Sequence, residues 1–322
     1  MAVYTKVTLE DANEFLDKYY DLGNLVSITE ITQGVENTNY IIETNNCKYI
    51  LTLYEQRVSS SDIPFFIDLL VHLDKRDIVC PKPIIMKSKR YTENLNGRHA
   101  AIFSFLYGKS TINIKNEHCS LGGQTLADIH QKTVNLDIYR DNNLSFNHWS
   151  KLYKSIKYPI KDLQNNLDKE IVKELNFLTS NWPQNLPLGI IHGDLFPDNI
   201  FFDASSLSGV IDFYFACNAF YAFDIAICIN AWCFEKDNSF NITKAKHLLE
   251  GYKKFRDLSM DELYYLPILC RGSALRFLLT RIIDWQRDDK RALVIPKDPL
   301  EYFNKLRFHQ SVLSVKDYGI YE

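Results

Sequence analysis

The stretch His192-Gly193-Asp194-Leu195-Phe196-Pro197-Asp198-Asn199 sets a carboxylate and an amide five positions apart, and Val210-Ile211-Asp212-Phe213 brings a second carboxylate soon afterwards. These residue types at this spacing suit the transfer of a phosphoryl group to an alcohol. Asp194 can orient an attacking hydroxyl and accept its proton. Asn199 and Asp212 offer oxygen to a hard cation, and Mg2+ prefers such a site, with one or two carboxylates completed by phosphate oxygens and water. A loose phosphoryl-transfer transition state asks for positioning and charge compensation more than for a strong base.

A lone H-x-D is more often a polar turn with an N-cap. Here three groups fall at the intervals of the kinase template, in which a loop Asp, an Asn four intervening residues later and an Asp before Phe perform these tasks. Apolar Ile190-Ile191 before the loop and Ile200-Phe201-Phe202 after it would anchor its ends to a rigid scaffold. His192 reads as a structural brace for the loop rather than as a base. Protein kinases carry Arg between the His and the Asp, whereas this chain carries Gly193.

Other candidates lie upstream. Gly34, Val35, Glu36, Asn37 and Thr38 sit between two strand-like segments. A glycine among small polar residues can turn backbone N–H groups toward the phosphates of ATP, although taken alone the segment is an ordinary hairpin loop. The strand 49–54 presents Thr52 where kinases usually carry a phosphate-pairing Lys; Lys48 and Arg57 are the nearest cations. Phe103, Ser104, Phe105 and Leu106 resemble a kinase hinge, whose main chain can pair with adenine while its side chains fill a core. Asp224 opens a helical segment and reads first as a cap or brace. Trp232 and Glu235 follow on that segment, Trp232 as a packed ring with one edge available to an acceptor pocket. Arg271, Arg276 and Arg281 stand in an apolar helical stretch and need partners; Asp284 suits Arg281, and a substrate carboxylate is a candidate for Arg276.

The elements that must hold these groups are legible in outline. Thr8, Glu10 and Asp11 before Phe15 and Leu16 predict a capped first helix. Strands are expected near 25–31, 39–43, 49–54 and 98–105, with Asn45-Asn46 as a hairpin signal, and a helix over 62–75 with Pro64 in its first turn. Beyond Gly108 apolar spacing predicts helices over 121–130, 149–158, 160–179, 219–234, 242–255 and 261–287. Two short strands, 200–202 and 209–213, interrupt them. This is an α+β chain with a two-lobed protein-kinase-like fold: an antiparallel sheet N-lobe over 1–106 for the nucleotide and a mainly helical C-lobe over 107–322 for catalysis and substrate. The hinge falls near 106–108.

With 46% hydrophobic residues the chain can bury a core, and a net charge of −3 argues against nonspecific nucleic-acid binding. The seven cysteines are odd in number and form no C-x-x-C pair, so they read as reduced thiols. The first residues lack a signal-peptide pattern, and no apolar run reaches the roughly 18–20 residues that span a bilayer. The expectation is a cytoplasmic protein with no membrane partner, a monomer or homodimer.

Longer strings narrow the reading. Gln33-Gly34-Val35-Glu36-Asn37-Thr38-Asn39-Tyr40, Ile50-Leu51-Thr52-Leu53-Tyr54-Glu55, Pro64-Phe65-Phe66, the H-G-D-L-F-P-D-N loop, Ile211-Asp212-Phe213-Tyr214-Phe215-Ala216-Cys217-Asn218, Asn230-Ala231-Trp232-Cys233-Phe234 and Arg271-Gly272-Ser273-Ala274-Leu275-Arg276-Phe277 resemble the bacterial homoserine kinases of the aminoglycoside phosphotransferase-like type. The resemblance covers essentially the whole chain. It implies ATP and L-homoserine as substrates, Mg2+ as cofactor and O-phospho-L-homoserine, a step toward threonine, as product. It further implies Thr52 in place of the kinase Lys and Asp224 as support for the loop. A pocket for homoserine, a small zwitterion, needs a cation for the carboxylate and anions for the ammonium; Arg276 is expected as the first, and Asp194, Asp224 and Glu235 as the second. Composition and spacing alone support only a Mg2+/ATP kinase of small alcohols. Choline, methylthioribose or an aminoglycoside remain alternative acceptors, and a nucleotide-binding pseudokinase remains an alternative class.

Overall fold

A computed structural model describes residues 4–32, 37–55, 58–203, 206–286 and 296–320. The chain divides into two compact units. One holds the described residues of Met1–Gly108 together with Ser208–Tyr214; the other holds those of Lys109–Leu207, Phe215–Asp288 and Pro296–Glu322.

The first unit opens with α1 (Leu9–Tyr19), fixed at its start by a reciprocal cap. The Asp11 N–H donates to Thr8 Oγ1 (3.1 Å), and the Thr8 N–H donates to Asp11 Oδ2 (2.9 Å). Strands β1 (Leu25–Ile31), β2 (Thr38–Thr44), β3 (Lys48–Leu53), β4 (Glu93–Leu95) and β5 (Arg98–Ser104) follow, with α2 (Ile63–Asp74) between β3 and β4. They form one antiparallel sheet in the order β1-β2-β3-β5-β4. Alternation puts Tyr40 and Ile42 of β2 on the buried face, where they share a core with Leu51, Leu53 and Ile102, with Phe15 and Leu16 of α1 and with Tyr20 just beyond it. The Asn45-Asn46 turn is closed by Thr44, whose hydroxyl accepts from the Asn46 and Cys47 N–H groups at 3.2 Å each. β4, three residues long, is too short to show a pattern in sequence.

The second unit is built on α3 (Asn116–Lys132), α4 (Phe146–Lys154), α5 (Leu167–Asn181), α6 (Tyr221–Trp232), α7 (Ile242–Lys253), α8 (Met260–Trp285) and α9 (Pro299–Ser311). Strands β6 (Leu188–Ile191) and β9 (Cys217–Phe220) pair antiparallel; β7 (Ile200–Asp203) and β8 (Ser206–Val210) lie between them in sequence, and the boundary between the units falls within β8. Several expected helices differ in extent, among them α3, which begins at Asn116 rather than at 121. Asn166 takes a left-handed backbone (φ 63°), so α5 begins at Leu167 rather than at 160. Ala219 and Phe220 pair with β6, so α6 begins at Tyr221. α4 ends at Lys154, four residues short of the expected 158.

α3 and α7 approach backbone to backbone. A Cβ on Gly123 would lie 1.9 Å from the Leu248 carbonyl oxygen, and one on Gly251 would lie 2.1 Å from that of Ser120. α6 and α8 are apolar on nearly all faces, as helices buried on all sides must be.

A buried polar cluster ties α9 to α6. Asn230 Nδ2 donates to the carbonyls of Ala226 and Cys270, 3.1 Å each, so its Oδ1 accepts from His309 Nε2 (3.2 Å). His309 Nδ1 then accepts from the Tyr318 hydroxyl (2.7 Å). Burial, with Lys305 and Arg271 nearby, pushes His309 from 6.5 down to about 3, so the folded ring is neutral. Between those two pH values the unfolded chain binds a proton that the native chain does not. Stability is therefore full above pH 6.5 and falls with acid by about 1.4 kcal/mol per pH unit from this group. Urea titrations of wild type and His309→Gln between pH 6.5 and 4 are expected to show a shallower slope for the variant by about that amount; equal slopes would contradict the assignment.

Candidate active site

Residues 192–199 connect β6 to β7, ending in a single 3-10 turn at Pro197–Asn199. His192 and Gly193 are buried, Asp194 is half-buried and Asp198 is exposed. Gly193 has φ 75°, and a Cβ there would meet the Phe215 carbonyl oxygen at 2.6 Å. Both the backbone region and the close approach call for glycine. Asn199 Nδ2 donates to the Asp194 carbonyl (2.8 Å) and lies 3.4 Å from Asp194 Oδ2. The two expected site groups of this loop are thus neighbours, and the amide of one steadies the other.

The loop is held from beneath by Asp224. Its Oδ2 accepts from the His192 N–H (2.7 Å) and its Oδ1 from the Gly193 N–H (2.9 Å). His130 Nε2 lies 3.1 Å from Oδ2, and His130 Nδ1 lies 2.8 Å from the Tyr252 hydroxyl. Arg256 donates to the Tyr252 oxygen (3.2 Å) and pairs with Glu262 (2.9 Å). Burial pushes the Asp224 carboxyl up, but the hydrogen bond from His130 and the backbone donors outweigh it, leaving it below its usual range. Burial pushes His130 down, so its ring is neutral, with Nε2–H toward Asp224 and Nδ1 accepting from Tyr252. Of this chain of contacts only Asp224 and His192 were read from sequence. His130 and Tyr252 lie on different helices, and no local pattern joins them.

The other C-terminal candidates have partners within the protein. Trp232, expected to offer an edge to an acceptor pocket, is buried and donates from Nε1 to the Leu195 carbonyl (2.8 Å). Glu235 accepts from Lys244 (2.7 Å) and Asn241 (2.7 Å), and these bonds hold its carboxyl below its usual range. Arg276, expected at a substrate carboxylate, is buried, and its Nη1 donates to the Gly193 carbonyl (2.8 Å). Burial disfavours its charge and the Asp194 carboxylate favours it.

In the first unit, Asp212 has a left-handed backbone (φ 66°), which Asp tolerates better than most residues. Tyr214, two residues on, is half-buried, its ring edge-on to Tyr54 and Phe66 (5.7 and 5.6 Å). Thr52 Oγ1 donates to Asn39 Oδ1 (2.7 Å), a neutral hydrogen-bonded pair. Lys48 is exposed and 3.8 Å from Glu43. Thr38 is engaged by the Tyr4 N–H and by Glu55 (2.9 and 2.8 Å), and the Asn37 side chain accepts from the Glu55 N–H (3.2 Å). At the hinge-like strand Phe103 is buried, and Ser104 exchanges bonds with Lys82 through its N–H and hydroxyl, 2.9 Å each. Phe105 and Leu106 are half-buried. The candidates Gly34, Val35 and Glu36, and the cation Arg57, lie outside the described residues.

Among the described residues no group of three or more His, Cys, Asp or Glu side chains is placed to hold a metal. No described helix is long and apolar enough to cross a membrane.

Comparison with known proteins places this geometry. The model of the phosphotransferase enzyme family matches residues 27–258. Homoserine kinase of Xanthobacter autotrophicus is 49% identical over 320 residues, covering 99% of each chain. Homoserine kinase of Sinorhizobium medicae is 48% identical over 320 residues, covering 99% of this chain and 98% of that one. Among solved structures, amicoumacin kinase in complex with AMP-PNP, Ca2+ and Ami superposes with a TM-score of 0.69 at 14% identity, covering 88% of each chain. The chain belongs to the phosphotransferase enzyme family and, within it, to the homoserine kinases.

Proposed function

We propose that this protein is an ATP-dependent homoserine kinase, forming ADP and O-phospho-L-homoserine. The observation that carries the reading is near-half identity over the full length to homoserine kinases, in a chain whose 192–199 loop holds Asp194 against Asn199. Asp194 accepts a hydrogen bond from the homoserine hydroxyl. It takes the proton as the new O–P bond forms and the bond from Pγ to the β,γ-bridging oxygen breaks. Asn199 uses its amide nitrogen on Asp194, so its carbonyl oxygen is the atom for a cation. The Asp212 carboxylate is the second oxygen donor assigned to Mg2+, a cation that takes one or two such groups and relies on phosphates and water for the rest. A Mg2+ held by these oxygens would offset charge on the triphosphate.

Residues 1–106 serve the nucleotide and 107–322 serve catalysis and substrate, although Ser208–Tyr214 packs with the first unit. Gly34, Val35, Glu36, Asn37 and Thr38 are the residues assigned to the ATP phosphates. Because the Ser104 N–H already serves Lys82, the main chain of Phe105 and Leu106 is the hinge portion for adenine. Thr52 and Tyr214 brace the strand beside the nucleotide without supplying charge. The enzyme acts in the cytoplasm on small molecules, as a monomer or homodimer, with no nucleic-acid or membrane partner. ADP release measured with L-homoserine, L-serine and choline tests the reading: turnover on L-homoserine is expected to exceed that on the other two by at least about a hundredfold in kcat/KM. A preference for choline, or nucleotide binding with no turnover on any acceptor, would overturn it.

A further inference from the structure

Gly193 is gripped from two sides by buried charges of opposite sign. The N–H of the 192–193 peptide donates to Asp224 Oδ1 (2.9 Å), and the C=O of the 193–194 peptide accepts from Arg276 Nη1 (2.8 Å). Asp224 comes from α6 and Arg276 from α8, 83 positions beyond the glycine it holds. We propose that Arg276 is a positioning residue: from α8 it brings this loop the guanidinium that position 193 cannot carry, and it fixes the peptide that bears Asp194.

Position 193 cannot hold an arginine of its own. Its φ is 75°, and the Phe215 carbonyl oxygen would stand 2.6 Å from any Cβ. Any guanidinium on this peptide must therefore come from elsewhere, and the bond from Arg276 enters at the residue before Asp194. The need for a charge, rather than for a donor alone, follows from the cost. A neutral amide or hydroxyl could satisfy the Gly193 carbonyl, whereas burying a guanidinium costs far more. Nor is Arg276 a fully satisfied clasp, because its Nε has no hydrogen-bond partner among the described residues. Its guanidinium instead lies near the rings of Phe277 (4.5 Å) and Phe215 (5.7 Å). Aromatic neighbours partly offset the lost hydration and keep water away, so the charge acts on Asp194 with little screening. A carboxylate ligand for an incoming substrate would have to be reachable, and Arg276 is only 3% exposed.

The inference rests on the homoserine kinase reading, and one set of assays separates the two. Wild type, Arg276→Met and Arg276→Lys are compared on L-homoserine and on 3-amino-1-propanol, the same amino alcohol without its carboxylate. Failure of the wild type on L-homoserine would sink the kinase reading and this inference with it. With the wild type active, positioning predicts that Arg276→Met lowers kcat by roughly a hundredfold on both acceptors. KM values stay close to wild type, and the preference for L-homoserine is retained. Arg276→Lys, which keeps the charge in poorer geometry, is expected to lose kcat less, again equally on both. It serves as the test should the Met variant not fold. A raised KM for L-homoserine with the preference collapsing in either variant would make Arg276 a substrate ligand and overturn the proposal. So would unchanged kcat.

Discussion

Asp194→Asn is expected to lower kcat by roughly a hundred- to ten-thousandfold while the KM for ATP stays close to wild type. The substitution keeps the shape of the side chain and removes its charge and its ability to take a proton. The loop around it should survive. Asn199 bonds the backbone carbonyl of residue 194 at 2.8 Å and only approaches the carboxylate at 3.4 Å. The Asp224 grip on His192 and Gly193 uses backbone N–H groups that the change does not touch. Loss is therefore expected in the chemical step alone. Steady-state kinetics with varied ATP and varied L-homoserine read it directly. A large loss of ATP affinity with kcat preserved would instead place Asp194 on the nucleotide.

Asp224→Ala should act on the fold and on turnover together. It would leave two buried backbone N–H groups and the His130 Nε2–H without their shared acceptor. Breaking such a buried charge network by removing one partner costs about 3–5 kcal/mol. Urea unfolding is expected to show a loss of that size, with kcat lowered in whatever protein remains folded. Asp224→Asn keeps an oxygen for one of the two N–H groups and turns an amide toward the other, so its loss should be smaller. Equal stability of wild type and Asp224→Ala would mean that the loop is anchored by something else.

The contrast between these residues and Arg276 shows what the sequence could reveal. Asp194, Asn199 and Asp212 stand out because reaction chemistry ties their types to their spacing. Asp224 was legible as a brace because it opens a helix just beyond them. Strands β1, β2, β3 and β5 and helix α1 were legible because caps and two-residue alternation are local. The short strands β4, β6 and β9 were not, since three or four residues carry too little pattern and exist through distant pairing, as Ile191 does with Cys217. Arg276 shows the same limit at a single side chain. Its apolar surroundings announced that it needed a partner, but only the packing of α8 onto the 192–199 loop determines that the partner is a main-chain carbonyl. The start of α5 turned on one left-handed residue, Asn166, in an otherwise helix-compatible run.

The tight contact of α3 and α7 bears on turnover as well as on packing. Gly251 immediately precedes Tyr252, and α3 also carries His130, which meets Tyr252 at 2.8 Å. With each glycine pressed on the opposite main chain, the two helices can neither slide nor rotate past one another. A single methyl group on either would wedge them apart, and the displacement would run through the imidazole and the aspartate to the loop that performs the chemistry. Variants at these glycines would then register as slow enzymes as well as unstable ones.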